Sequence, residues 1–167
     1  MLSDKKIVTI YSGTYYVSDD PQVVIHTLLG SCIAVCLFDN ENHIGGMNHF
    51  LLPEENPARK RLFKPDSGWF GLDSMEAMIG RVLELGGVFS NLKAKVFGGG
   101  QVVDNLTPFN INLAEANIKF ILSYLSEKKI PVIVKDVGGR YGRKVLYYLE
   151  DHSVLVQRLE KELKLDV

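Results

Sequence analysis

Apolar and polar positions alternate through KIVTIYSGTYYVS (6–18), and this pattern of β-branched and aromatic residues predicts one or two strands around Gly13. QVVIHTLL (22–29) reads as a strand stopped by Gly30. CIAVCLFD (32–39) is apolar on both faces and reads as a buried strand. NENHIGG (40–46) reads as a turn, after which MNHFLLP (47–53) returns as the second arm of a hairpin ended by Pro53, which brings no amide to a ladder. The polar segment 54–68, with Pro57 and Pro65, reads as an exposed, mobile loop. Helical spacing of Leu72, Met75, Met78, Ile79, Val82 and Leu83 predicts a helix stopped by Gly86. LKAKVFGGG (92–100) reads as a strand running into a glycine turn. Leu113, Ala116, Ile118, Ile121, Leu122 and Leu125 mark a second amphipathic helix. IPVIVKDVGG (130–139) is a further strand, and RKVLYYLEDHSVLVQRL (143–159) a strand pair turning near Asp151 and His152. The sum is an α+β chain: a layered α/β sandwich with a mixed β-sheet core and two long helices, in one domain over 1–167.

Composition narrows the function classes. The chain has 167 residues, enough for one sizeable core, with 46% hydrophobic and 23% charged residues. A net charge of -1 gives no general attraction to nucleic acid or anionic lipid. No apolar run has the length of a membrane span, and MLSDKKIVTIYSG lacks the apolar core of a signal peptide. The expectation is a cytoplasmic protein whose two cysteines stay reduced.

Candidate chemistry centres on TLLGSCIAVCLFD (27–39). Cys32 follows Gly30 and Ser31, and glycine lets backbone amides approach a reacting atom closely. A free thiol has a pKa of about 8.5, and histidine is its commonest activator. A hairpin turning about 40–46 brings His49 within a residue or so of Cys32. In the competing readings both cysteines are core, or Cys32, Cys36, His43 and His49 hold zinc. Strand geometry opposes zinc: four strand residues span about 13 Å, while each thiolate must lie about 2.3 Å from the metal. FGGGQ (97–101) reads as a strand-ending turn or as a lining of the site. GGRYGRK (138–144) reads as a turn before an exposed basic strand, and His43 and His152 as solvated turn residues. Trp69 and Phe70 read either as helix-edge core or as an exposed aromatic grip on a helical partner.

TLLGSCIAVCLFD followed by GGMNHFLLP resembles the signature of the chemoreceptor glutamine deamidase (CheD) family of bacterial chemotaxis. The likeness continues through GWFGLDSMEAMIGRVLELGG, KVFGGGQV, NINLAEANI and KDVGGRYGRKVLYYLEDHSVLV, over roughly residues 10–158. Asn112 stands where the family usually has Gly, and Gly100 where Ala is common. The resemblance implies a fold like that of the cytotoxic necrotizing factor toxins and a cysteine–histidine glutaminase needing no cofactor or metal. Cys32 would be the nucleophile, exposed as a thiolate while Cys36 is buried, and His49 the base. Backbone amides near Gly30 and Ser31 would stabilise the oxyanion. The family's third group is a threonine that in some members lies six residues before the cysteine. That position here is His26, while Thr27 lies five before. Adjacent strand residues face opposite ways, so one of the two faces the site. Thr27 is favoured, since a hydroxyl accepts from an imidazole N–H while staying neutral. The implied partners are the cytoplasmic helices of chemoreceptors and a CheC-type phosphatase, with no nucleic acid and no membrane insertion. The alternative is a non-catalytic chemotaxis adaptor that binds the same two partners.

Overall fold

The structure, a computed structural model, describes residues 4–51, 71–102 and 112–160. Among these the chain forms nine strands and two α-helices: β1 (Lys6–Thr9), β2 (Thr14–Ser18), β3 (Val23–Leu29), β4 (Ile33–Asp39), β5 (Ile44–His49), α1 (Gly71–Glu84), β6 (Leu92–Gly98), α2 (Leu113–Glu127), β7 (Val132–Val137), β8 (Gly142–Tyr148) and β9 (Val154–Leu159). The segment 54–68, expected to be a loop, lies outside the described residues, as do Trp69 and Phe70.

The strands divide between two mixed sheets, ordered β1-β3-β8-β9 and β2-β5-β4-β6-β7. Alternate residues of β4 show the layering. Ile33, Val35 and Leu37 pack with Met75, Met78 and Val82 of α1 and Ile121 and Leu125 of α2. Ala34 and Cys36 pack with Val23 and Ile25 of β3 and Val145 and Tyr147 of β8. The five-stranded sheet is therefore sandwiched between the helices and the four-stranded sheet, and every residue of β4 is buried. The α+β class with two helices stands. What differs from a single helix-covered sheet is the second sheet, created where Gly13 (φ 88°) turns the chain out of β1 in one sheet and into β2 in the other.

Three local departures have physical causes. Gly45 and Gly46 belong to β5, not to the preceding turn. A Cβ on Gly45 would strike the Tyr147 hydroxyl and Leu149, and one on Gly46 would meet Val17, so the strand needs glycine where neighbours crowd it. Arg143 is buried, not exposed: its guanidinium pairs with Asp136 at 2.9 Å and donates to Gly138 O at 2.8 Å. A buried cation requires such partners. His152 is likewise buried, stacked on Phe38 at 4.7 Å between ring centroids and 2.9 Å from the Tyr147 hydroxyl. His43 is exposed in the hairpin turn, as expected.

In α1, Met75, Met78, Ile79 and Val82 face the core, whereas Leu72 and Leu83 lie exposed at the edge of the stripe. Helix α2 begins at Asn112, whose side chain accepts from Glu115 N–H at 3.1 Å. Its buried face is Ala114, Asn117, Ile121, Tyr124 and Leu125, an apolar stripe interrupted by one asparagine.

Candidate active site

Cys32 lies one residue before β4, in the turn that leaves β3, and His49 ends β5. Their strands are joined last at Ile33 and Phe50, with N–H to O distances of 3.1 and 2.9 Å. One step beyond that rung, Cys32 stands across from Leu51, so His49 is its diagonal neighbour, a slightly longer offset than the expected residue or so. Because Asp39 pairs with Ile44, the turn is 40–43, tighter than 40–46, and this brings His49 nearer to the level of Cys32 than the wider turn would. Diagonal residues share a face and lie roughly 7–8 Å apart at Cα, within reach of a ring. That face looks into the layer between the sheets, where the half-buried Cys32 packs against the core around Ala34, Cys36 and Met47.

Thr27 reaches the same place from β3 of the opposing sheet. It is fully buried, and its Oγ1 lies 2.9 Å from Ile10 O and 2.8 Å from His49 Nδ1. These distances determine the histidine tautomer. A carbonyl can only accept, so the threonine proton goes to Ile10 O; toward His49 the hydroxyl then offers lone pairs, and Nδ1 must carry the hydrogen. His49 Nε2 is left with its lone pair, buried and without a hydrogen-bond partner among the described residues. His26 faces away on the other side of β3, with Nδ1 3.3 Å from Thr9 Oγ1.

The turn that carries Cys32 is fixed by its carbonyls. Gly30 O accepts from Gly100 N–H at 2.8 Å, Ser31 O from Asn117 Nδ2 at 3.1 Å, and Cys32 O from Gly99 N–H at 2.8 Å. The glycine segment 98–100 thus ends β6 and also braces the site. Gly98 (φ 112°) leaves no space for a Cβ against Cys32 O. Spacing and periodicity pointed to neither Asn117 nor Ser12, whose Oγ stands 4.0 Å from Cys32 Sγ. A polar residue on an apolar helix face and a serine in a tight turn each have commoner structural uses.

The electrostatics describe a neutral resting pair. Burial pushes the Cys32 thiol up, opposed by Ser12 and by the residue's own backbone N–H. Burial pulls His49 down to about 4. Cys32 is therefore a half-buried thiol at neutral pH, not the exposed thiolate expected from the resemblance, and His49 is an unprotonated imidazole. Cys36 is fully buried and its thiol is pushed far up by burial. It is sealed in the layer between the sheets while His43 is exposed in the hairpin turn, which argues against the zinc set. Among the described residues no cluster of His, Cys, Asp or Glu could hold a metal ion, and no described helix is long and apolar enough to cross a membrane.

A stability prediction follows from two buried histidines. His152 is also pulled down to about 4, by burial first and then by Lys95 and His43, with Asp151 and Asp39 opposing. In the unfolded chain both rings protonate near pH 6.5, but in the native state not until about pH 4. The unfolded state therefore binds more protons across that window, and stability falls as pH drops through it, by about 3 kcal/mol per ring at most. Thermal melts between pH 7 and 4 should show this loss, with a shallower slope in His152→Asn, a residue that tolerates the positive φ of 58°. An unchanged slope would remove His152 from the titrating groups.

Comparison with known proteins adds the family. The profile described as CheD chemotactic sensory transduction matches residues 51–158. Probable chemoreceptor glutamine deamidase CheD 1 of Shewanella oneidensis is 41% identical over 157 residues, covering 94% of this chain and 74% of the relative. Probable chemoreceptor glutamine deamidase CheD of Methylobacillus flagellatus is 40% identical over 152 residues, covering 91% of this chain and 73% of the relative. The profile match begins after His49, but an alignment over 94% of the chain takes in positions 27–49 wherever it starts. A crystal structure of the Bacillus licheniformis hypothetical protein YfiH shares 14% identity with a TM-score of 0.42, over 79% of this chain and 59% of that one; nothing further rests on so slight a likeness. A profile covering most of the chain, and relatives near 40% identity along almost all of it, lead to one conclusion: the chain belongs to the CheD family.

Proposed function

We propose that this protein deamidates glutamine side chains of chemoreceptors to glutamate, with Cys32 as nucleophile, His49 as general base and acid, and Thr27 as the group that orients His49. The observation that supports it best is the hydrogen-bond chain Ile10 O, Thr27 Oγ1, His49 Nδ1, which leaves Nε2 basic on the face it shares with Cys32. In the first step Cys32 Sγ bonds to the amide carbon as its proton passes to His49 Nε2. The carbonyl becomes an oxyanion, stabilised by backbone N–H groups of the Gly30–Ser31–Cys32 turn. The C–N bond breaks, His49 returns the proton to the departing nitrogen, and ammonia leaves a thioester. Water then attacks, giving its proton to Nε2. The C–S bond breaks, glutamate departs, and the thiol is restored.

The substrate surface is the receptor's cytoplasmic helical bundle, and the protein acts in the cytoplasm as a single deamidase domain. A CheC-type phosphatase is a further partner, and the fold is related to that of the cytotoxic necrotizing factor toxins. These points rest on the family resemblance. The test is ammonia release on mixing the protein with a receptor cytoplasmic fragment: release dependent on both components supports the assignment, and its absence in active buffer refutes it.

Thr27 has its own prediction. Thr27→Val keeps the shape but leaves a buried Nδ1–H without an acceptor, a loss of about 1–3 kcal/mol. The expected result is a kcat about 10- to 100-fold lower at unchanged KM, rescue in Thr27→Ser, and near-normal kcat in His26→Ala. The reverse pattern would assign the orienting role to His26.

A further inference from the structure

We propose that Asn117 is a positioning residue for the reaction, fixing the peptide plane before the nucleophile so that Cys32 N–H points at the oxyanion. This rests on the assignment of Cys32 as nucleophile. Asn117 is completely buried on the inner face of α2. Its Nδ2 donates to two carbonyls, Ser31 O at 3.1 Å and Leu51 O at 2.9 Å. These belong to the two strand ends that carry Cys32 and His49, just past the last backbone rung at Ile33 and Phe50. The side chain therefore acts as one more rung where the ladder has stopped.

Core packing alone does not account for an asparagine here. Its Oδ1 is buried with no partner among the described residues, and an unpaired buried acceptor is costly. Leucine would fill an apolar helix face without that cost. The amide is thus held for its two N–H donors.

Their consequence follows from peptide geometry. In a trans peptide the C=O and the following N–H point in opposite directions. Three successive carbonyls of the turn are tied: Gly30 O and Cys32 O by backbone N–H groups of Gly100 and Gly99, Ser31 O by Asn117. Ile33 N–H is spent on Phe50 O. The Ser31–Cys32 plane is the one oriented by a side chain, and its N–H is that of the nucleophile itself. That N–H favours the thiolate of its own residue, and the oxygen of a carbonyl attacked by Sγ develops its charge beside it.

The test compares two reactions of Cys32 that need no receptor. Acylation by p-nitrophenyl acetate forms an S–C bond through an oxyanion and expels nitrophenolate. Alkylation by iodoacetamide displaces iodide with no oxyanion. Asn117→Leu is measured with Asn117→Ala, which leaves a small gap in place of added bulk. The expected result is acylation about 10- to 100-fold slower, as for a misplaced oxyanion donor, with alkylation within about threefold of wild type. Acylation and alkylation both unchanged, or both reduced together in each variant, would overturn the proposal. Receptor deamidation is assayed separately. A wild-type protein that acylates at Cys32 but leaves receptor glutamines intact refutes the substrate assignment and not the role of Asn117. A wild-type Cys32 that does not acylate refutes the role of Asn117.

Discussion

Cys32→Ser retains its fold and loses glutamine deamidation, by a factor on the order of 10⁴ or more as expected when a covalent nucleophile is removed. A serine hydroxyl is far harder to ionise than a thiol, and His49, with a pKa of about 4, is too weak a base to make up the difference. Cys36→Ala should keep activity near wild type, because Cys36 is sealed into the layer between the sheets and its thiol has no role in the proposed reaction. Brief iodoacetamide labelling with peptide mapping should find Cys32 modified and Cys36 protected. The rate at Cys32 should still be rising beyond the pH at which an ordinary cysteine ionises, since burial holds the thiol up and it must ionise to react. Equal labelling of the two cysteines would sink the nucleophile assignment, and a rate already at its plateau near neutral pH would reveal a preformed thiolate.

His49→Ala lowers turnover by about 10² to 10⁴, the usual range for a positioned acid–base group. The same substitution slows alkylation of Cys32 near neutral pH. An unchanged alkylation rate and pH profile would take His49 out of thiol activation. The wild-type acid limb tests the same group. His49 is unprotonated above about pH 4 and loses its Nε2 lone pair to a proton below it, so kcat/KM should hold down to that region and then fall. Native stability declines over the same range, so the assay includes return of each sample to pH 7. Loss that reverses at once belongs to the titration, and loss that persists belongs to unfolding.

Much of this arrangement could be read from the sequence where local patterns carry it. β3, β4, α1 and α2 fall where periodicity places them. A hairpin with Cys32 and His49 toward one end follows from two strands and a turn. The glycines of β5 were misread because their cause is tertiary: Tyr147 and Val17 occupy the space a side chain would need. The second sheet was invisible for a similar reason, since alternation on either side of Gly13 does not say which partner each strand will find. Arg143 and His152 read as solvated because burying such groups is costly, and it is tertiary partners, among them Asp136, Gly138, Phe38 and Tyr147, that make it tolerable. Asn117 was hidden within an apolar stripe. The choice between Thr27 and His26 could be framed from strand alternation, but the hydrogen bond to His49 is a contact between two sheets and has no local signature.

The central claim is tested most directly by site-resolved mass spectrometry of a chemoreceptor cytoplasmic fragment incubated with wild type or Cys32→Ser. Wild type should produce, at discrete glutamines, the one-dalton gain that separates glutamate from glutamine, and Cys32→Ser should produce none. No gain with wild type, or the same gain with both proteins, would contradict the account.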